Sequence, residues 1–188
     1  PEDDNGHGTL VSGIISSESN NKLGFTGVAP DSLILPLRVR DGKSISDLRI
    51  IEAIEYSIQA NVKIVNLSMR FISYLKYSLV LQEAAQNLHL DYDCLVICAA
   101  GNFEQNNDFV PTYPASYEGD AIISVAASDQ NNELAKFSNF GLKTVDLAAP
   151  GVDIWGPTIS RNQEPIFQEY FDFNLGQWLW GSTLYNQS

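Results

Sequence analysis

The chain has 188 residues, 44% of them apolar and 18% charged, which is enough for one domain with a real core and too apolar for a disordered segment. Its 11 Lys and Arg against 23 Asp and Glu leave a net charge of −12, and this argues against nucleic acid, because phosphate binding needs clustered cations. No apolar run is long enough to span a membrane, and the opening "PEDDNGHG" has neither the basic nor the apolar region of a signal peptide, so it reads as the middle of a protein.

In chain order, the first predicted element is a small-residue helix over Leu10 to Ser16, with Thr9 placed to cap it and Gly13 placed to admit a close neighbour. Five runs then read as buried parallel strands: Ser32 to Val39, Val62 to Ser68, Cys94 to Ala100, Ala121 to Ala127 and Thr144 to Pro150. Each is nearly continuous in aliphatic residues, as a sheet covered on both faces requires. Between the first two, Ser44 to Ala60 has helical spacing at Leu48, Ile51, Ile54, Tyr56 and Ile58, with Ser46 or Asp47 available as a cap. Between the second and third, "LKYSLVLQEAAQNL" is again helical. This alternation predicts an α/β fold, a doubly wound, mostly parallel sheet with helices on both faces. Residues Gly101 to Gly119 form a long polar and aromatic loop, a feature that in a compact domain is functional or mobile. From about Ile159 the alternation stops and aromatics, Gln and Asn dominate, which places a boundary near Arg161: residues 1–160 form one domain and 161–188 open a β-rich module.

Cys94 and Cys98 fall on one face of a predicted strand, roughly 13 Å apart by strand rise. That is too far for a mutual disulfide, and no His or Cys cluster accompanies them, so they read as small buried hydrophobes.

Four motifs lie at one edge of the predicted sheet. His7 stands between Gly6 and Gly8 at a helix start, where a histidine is either solvated in a turn or faces a cleft with its titration tuned by a carboxylate. In "AAGN", Ala99 to Asn102, small residues clear space beyond a strand end and Asn102 offers an amide donor; a plain turn asparagine is the other reading. "NLSMR", Asn66 to Arg70, puts polar groups at the mouth of the preceding strand, and "DLAAPGVDI", Asp146 to Ile154, ends a strand in a Pro-Gly turn.

Taken together and in this order, "DNGHGTLVSGII", "GVAPDSLILPLRV", "VNLSM", "ICAAGN" and "VDLAAPGVDI" resemble the subtilisin-like serine proteases, the subtilase family, over Asp3 to about Ile159. The resemblance implies an incomplete subtilisin-like α/β domain from a serine endopeptidase. It makes His7 the general base and Asn102 the oxyanion donor. It makes Gly42, Lys43 and Ser44, with Ser68, Met69 and Arg70, the two edges that hold an extended peptide substrate, and places Ala100 and Gly101 beside the P1 pocket. "SNNKLGFTG", Ser19 to Gly27, resembles the family's calcium loop, with Asn21, Leu23 and Phe25 supplying oxygens to a structural calcium and the other ligands, a carboxylate among them, coming from sequence before residue 1. A plain polar turn is the alternative. No cofactor is implied for the chemistry. The family also implies an extracellular or cell-envelope location and a peptide or protein partner, with no nucleic acid and no membrane span.

The chain departs from the family's pattern in three places. Arg70 and Phe71 stand where glycines are usual at the pocket wall; Arg70 either points to solvent or narrows the groove, and an acidic P1 preference follows only from the second. The family's aspartate precedes its histidine, and Asp3 and Asp4 are too close to His7 in sequence to be taken as its substitute; they read as helix-entry or substrate-side carboxylates, with metal ligation as a lesser option. Nothing matches the family's nucleophile motif, and Ser182 in "GSTL" has the letters in the wrong order. The expectation is therefore a fragment that is inactive alone, with the serine motif beyond residue 188 and apolar faces left exposed. A non-catalytic scaffold that binds extended peptides is the alternative, and an aromatic tail serving as a carbohydrate- or partner-binding module is a third reading.

Overall fold

The computed structural model describes residues 3, 6–41, 44–45, 47–69, 78–159, 166–169 and 181–185. Its elements in chain order are α1 (His7–Ser16), β1 (Leu33–Leu37), β2 (Arg40–Asp41), β3 (Ser44–Ile45), α2 (Asp47–Gln59), β4 (Ile64–Leu67), α3 (Leu79–Tyr92), β5 (Leu95–Ala99), β6 (Ile122–Ser128), β7 (Leu147–Pro150), β8 (Trp155–Thr158), β9 (Ile166–Glu169) and β10 (Gly181–Tyr185). Six strands form the central sheet in the order β1-β10-β4-β5-β6-β7. β4 to β7 pair in parallel, while β10 runs antiparallel to both β1 and β4. The expected α/β architecture with a mostly parallel sheet is present, and the five predicted strands are found with their ends moved by at most three residues. β10 comes from the aromatic tail, and Ser182 lies inside it, in register with Pro36 and Asn66, rather than at the opening of a helix.

Strand pairing lines up one buried face. Val65 lies opposite Val96 and Leu67 opposite Cys98; Val96 in turn faces Ile122, and Cys98 faces Ser124. All six side chains are buried, as the two-residue period of a strand dictates. Helices α2 and α3 complete this core with Ile50 and Ile54 from one and Leu81, Ala85 and Leu88 from the other. The spacing of the α3 residues, i, i+4 and i+7, is one helical stripe. Ser78 caps α3 by accepting from Leu81 N at 3.4 Å, and Asp93 ends it in the left-handed conformation, with φ +52°. α3 therefore runs Leu79 to Tyr92, later than the expected Leu75 to Leu88, because the cap sets its start.

The buried stripe of α2 also differs from the predicted one. Ile50, Ile54 and Ser57 are buried, whereas Leu48 and Tyr56 are 64% and 52% exposed. Leu48 and Ile54 are six residues apart, which turns them to different sides of the helix. Ser57 is tolerated in the core because its hydroxyl donates to Ala53 O at 2.8 Å. Cys94 and Cys98 are both buried and free. Burial pushes the Cys94 thiol up to about 11 and that of Cys98 higher still, so both stay protonated and act as packing groups.

α1 contributes nothing to that cluster and packs on β8 instead. A Cβ built on Gly13 would meet the Pro157 ring at 2.2 Å, and one on Gly156 would meet Leu10 Cδ1 at the same distance. The close neighbour expected at Gly13 is therefore Pro157. We expect Gly13→Ala to destabilise the protein by about 1–3 kcal/mol through overpacking. Urea unfolding measures it, and an unchanged midpoint would show that α1 and β8 separate at no cost.

Candidate active site

The N-terminus of α1 is built by one carboxylate. Asp3 Oδ1 accepts from Gly6 N at 2.8 Å, and Asp3 Oδ2 accepts from Thr9 N at 2.9 Å and Thr9 Oγ1 at 2.7 Å. Helix α1 thus starts at His7, three residues before the expected Leu10, and Thr9 lies in its first turn as a donor rather than as the cap. Gly6 makes the tight entry possible, with φ +98°. Asp3 takes the helix-entry role; Asp4 lies outside the described residues.

This entry delivers His7 to the end of β4. Its Nε2 donates to the Ser68 carbonyl at 3.4 Å, 61 residues away in sequence. With that proton on Nε2, Nδ1 is the acceptor nitrogen of the neutral ring. Burial pushes the imidazole below its ordinary 6.5; the hydrogen bond to Ser68 and the Asp3 carboxylate push in the other direction and offset part of this.

β5 leaves the sheet beside β4 at the same carboxyl edge. Leu67 pairs with Cys98 in parallel, so Ser68 is flanked by Ala99 and the chain continues to Ala100, Gly101 and Asn102. Ala100 is fully buried; its N–H donates to Val125 O at 2.9 Å and its carbonyl accepts from Asn107 Nδ2 at 2.9 Å. Gly101 has φ +118°, and a Cβ there would meet Asn139 Nδ2 at 2.5 Å, so two independent constraints demand glycine. Asn102 is exposed. Ser68 Oγ accepts from Asn66 Nδ2 at 2.9 Å, and Met69 turns into the hydrophobic core. Ser44 pairs with Asp41 in the β2–β3 hairpin. Gly42, Lys43, Arg70 and Phe71 lie outside the described residues.

Two buried asparagines behind Asn102 carry no motif in the sequence. Asn107 and Asn139 are both fully buried and joined by a 2.9 Å bond from Asn139 Nδ2 to Asn107 Oδ1. Asn139 N also donates to Gly101 O at 2.8 Å. The signal that could have found them is indirect: Asn is rarely buried, and "FSNFG" sits between two loops with no strand or helix of its own to serve. On the 19–27 loop, Asn21 Oδ1 accepts from Leu23 N at 2.9 Å, closing a turn whose neighbours Asn20, Lys22 and Gly24 all have positive φ. Leu23 is exposed. No group of three or more His, Cys, Asp or Glu that could hold a metal occurs among the described residues. The loop's oxygens are of the hard type calcium takes, but three neutral donors fall short of the six to eight it needs.

Because burial favours neutral His7, its contribution to stability is fully present above the unfolded value of 6.5 and is lost as pH falls from there through the lower folded value. NMR titration of the imidazole should give a midpoint below 6.5, and Asp3→Asn should move it lower still by removing the carboxylate. A midpoint at or above 6.5 would contradict the burial of the ring at the end of β4.

The chain matches the Subtilase family profile over residues 1–178. It is 39% identical over 164 residues to the thermophilic serine proteinase of Bacillus sp. (strain AK1), a match that covers 87% of this chain and 38% of that protein. It is 36% identical over 171 residues to subtilisin-like protease 2 of Plasmodium falciparum, covering 89% of this chain and 12% of that one. Among solved structures it resembles the epidermin leader peptide processing serine protease (EpiP) of Staphylococcus aureus, with a TM-score of 0.69, 25% identity, and coverage of 89% of this chain and 49% of that chain. Bacillus subtilis relatives include proteases named extracellular, cell wall-associated and intracellular. The chain thus spans about two fifths or less of the length of the first two relatives. A parallel sheet with histidine and asparagine at one carboxyl edge, and a family match over nearly the whole length, lead to one conclusion: this chain belongs to the subtilase family.

Proposed function

We propose that the protein carrying this chain hydrolyses peptide bonds through a serine acyl-enzyme, with His7 as general base and acid and Asn102 as oxyanion donor. The observation that carries this reading is the contact of the His7 imidazole with Ser68 at the end of β4, beside the end of β5 that leads to Asn102. The nucleophile and the aspartate of the triad come from sequence on either side of residues 1–188. In the reaction the serine Oγ attacks the scissile carbonyl carbon, its proton passes to His7, and the carbonyl oxygen becomes an anion beside Asn102. His7 then protonates the leaving amine, and a water repeats the sequence to free the acid. Proton transfer to Nε2 needs the tautomer with its proton on Nδ1, so the Ser68 hydrogen bond must give way and an upstream carboxylate must accept from Nδ1.

In this proposal Gly42, Lys43 and Ser44 form one edge of the substrate channel and Ser68, Met69 and Arg70 the other, with Ala100 and Gly101 beside the P1 side chain. The burial of Met69 and Ala100 supports a contribution through backbone and shape rather than side-chain polarity. Residues 1–160 act as part of the catalytic domain, and 161–188, which add β10 to its central sheet and β9 to β8, lead into a further module. Asn21, Leu23 and Phe25 supply part of a calcium shell whose carboxylate lies elsewhere. An extracellular or cell-envelope location agrees with the names of two of the relatives.

A fluorophosphonate probe should label the full-length protein, and Asn102→Ala should lower kcat by about 10²–10³, a range that comes from subtilisin itself, a member of this family. A protein that binds extended peptides yet is never labelled would replace the protease reading with the scaffold reading. For the calcium loop, EDTA should lower the melting temperature of the full-length protein, and Asn21→Ala should shrink that drop; an EDTA effect of the same size in the variant places the metal elsewhere.

A further inference from the structure

We propose that Asn139 is a positioning residue that fixes the turn carrying Asn102; the proposal rests on reading Asn102 as the oxyanion donor. Asn102 is exposed and belongs to a loop with no helix or strand between Ala99 and Ile122. A donor so placed stabilises developing charge only if it is already aimed before the reaction, since a mobile carboxamide must be ordered during it. Something other than secondary structure must therefore hold the turn.

Asn139 does so from both sides of residue 102. Its backbone N–H donates to Gly101 O at 2.8 Å, and its side-chain Oδ1 accepts from Phe103 N at 2.8 Å. One buried residue thus bonds the peptide groups that precede and follow Asn102. The same Oδ1 accepts from Gln105 N at 3.3 Å, while Nδ2 donates to Asn107 Oδ1 at 2.9 Å and to Thr112 Oγ1 at 3.1 Å. All four hydrogen-bonding positions of the carboxamide are used. The orientation is fixed by its partners: a flipped amide would set Nδ2 against two N–H donors. Asn107 closes the circuit, as its Nδ2 donates to Ala100 O at 2.9 Å. Residues 100, 101 and 103 are therefore tied to one Asn139–Asn107 pair that has no exposure to water, where each bond is stronger and each unpaired group costlier than at the surface.

The partner segment is itself anchored. Glu104 N donates to Phe137 O at 3.0 Å, Phe140 N to Gln105 O at 3.0 Å, and Asn107 N to Phe140 O at 2.7 Å. Ser138 Oγ accepts from Ala127 N at 2.9 Å, which joins the Asn139 segment to β6. The network therefore refers the Asn102 turn to the central sheet, the same frame that carries Ser68 and its contact with His7. Aspartate cannot replace Asn139, because its second oxygen would face Asn107 Oδ1; serine is too short to span from Phe103 to Thr112. Gly101 belongs to the device as well, since any Cβ there would strike the Asn139 amide.

The test uses the full-length protein and a fluorescence-quenched peptide taken from a casein cleavage site. Asn139→Ser should lower kcat by about 10-fold or more with KM within about twofold, because substrate contacts stay in place while the donor loses its aim. Thr112→Val keeps the side-chain shape and removes one acceptor of Asn139 Nδ2; it should give a smaller loss of the same kind, and it carries the test if Asn139→Ser does not fold. The deciding measurement is the double-mutant cycle: in an Asn102→Ala background either substitution should cost less than about twofold in kcat. A loss of equal size in both backgrounds, or a loss in KM alone, overturns the positioning role and leaves Asn139 as a fold-stabilising residue. An unchanged kcat in Asn102→Ala alone overturns the oxyanion reading beneath it, a result distinguishable from the others.

Discussion

Parallel pairing of β4 with β5 brings the ends of two strands, and the loops that follow them, to one edge of one sheet. The register is set by Val65 and Leu67 against Val96 and Cys98, four buried side chains beneath α2 and α3. A slip of one residue would turn this whole set to the other face and expose it, so the register is held by burial rather than by any polar group. Once it is held, Ser68 and the Ala100 to Asn102 turn must lie side by side, and α1 needs only to bring His7 to the first of them.

Electrostatics at the α1 entry then act in opposition. Asp3 holds the first turn through three hydrogen bonds and lends the imidazole a nearby negative charge, which favours the protonated ring. Burial against the end of β4 favours the neutral ring and is the larger effect. In the proposed reaction the neutral ring is the form that takes up the serine proton. Asp3 thereby serves the helix more than the histidine. Its carboxylate accepts from the amides of Gly6 and Thr9 and from the Thr9 hydroxyl, which fixes the geometry of the helix entry.

Across the sheet edge a different physical device is used. The Asn102 turn has no capping helix and no ladder of its own, and two fully buried asparagines provide the order that secondary structure does not. This resolves why buried amides are retained there: each polar atom of Asn139 has a partner, so the desolvation cost is met within the network. The long loop from Gly101 to Gly119, marked in the sequence by its polarity, is thus an ordered structure tied to β6 through the segment that follows it.

Strands β4 to β6, the burial of both cysteines and the small-residue helix were readable from residue order alone, because aliphatic runs and helical periodicity report local burial directly. The placement of His7 and Asn102 toward the ends of β4 and β5 was readable too, through motifs whose glycines carry their own backbone requirement at Gly6 and Gly101. The outward turn of Leu48 and Tyr56, the choice of helix entry over substrate side for Asp3 and the start of α3 at Ser78 were not, since each depends on which face meets a neighbour and which donor lies within reach. Least accessible of all was Asn139, 37 residues after Asn102 and without a periodic or compositional mark. Its importance comes from hydrogen bonds across two loops, and such bonds exist only once the sheet has folded and brought the loops together.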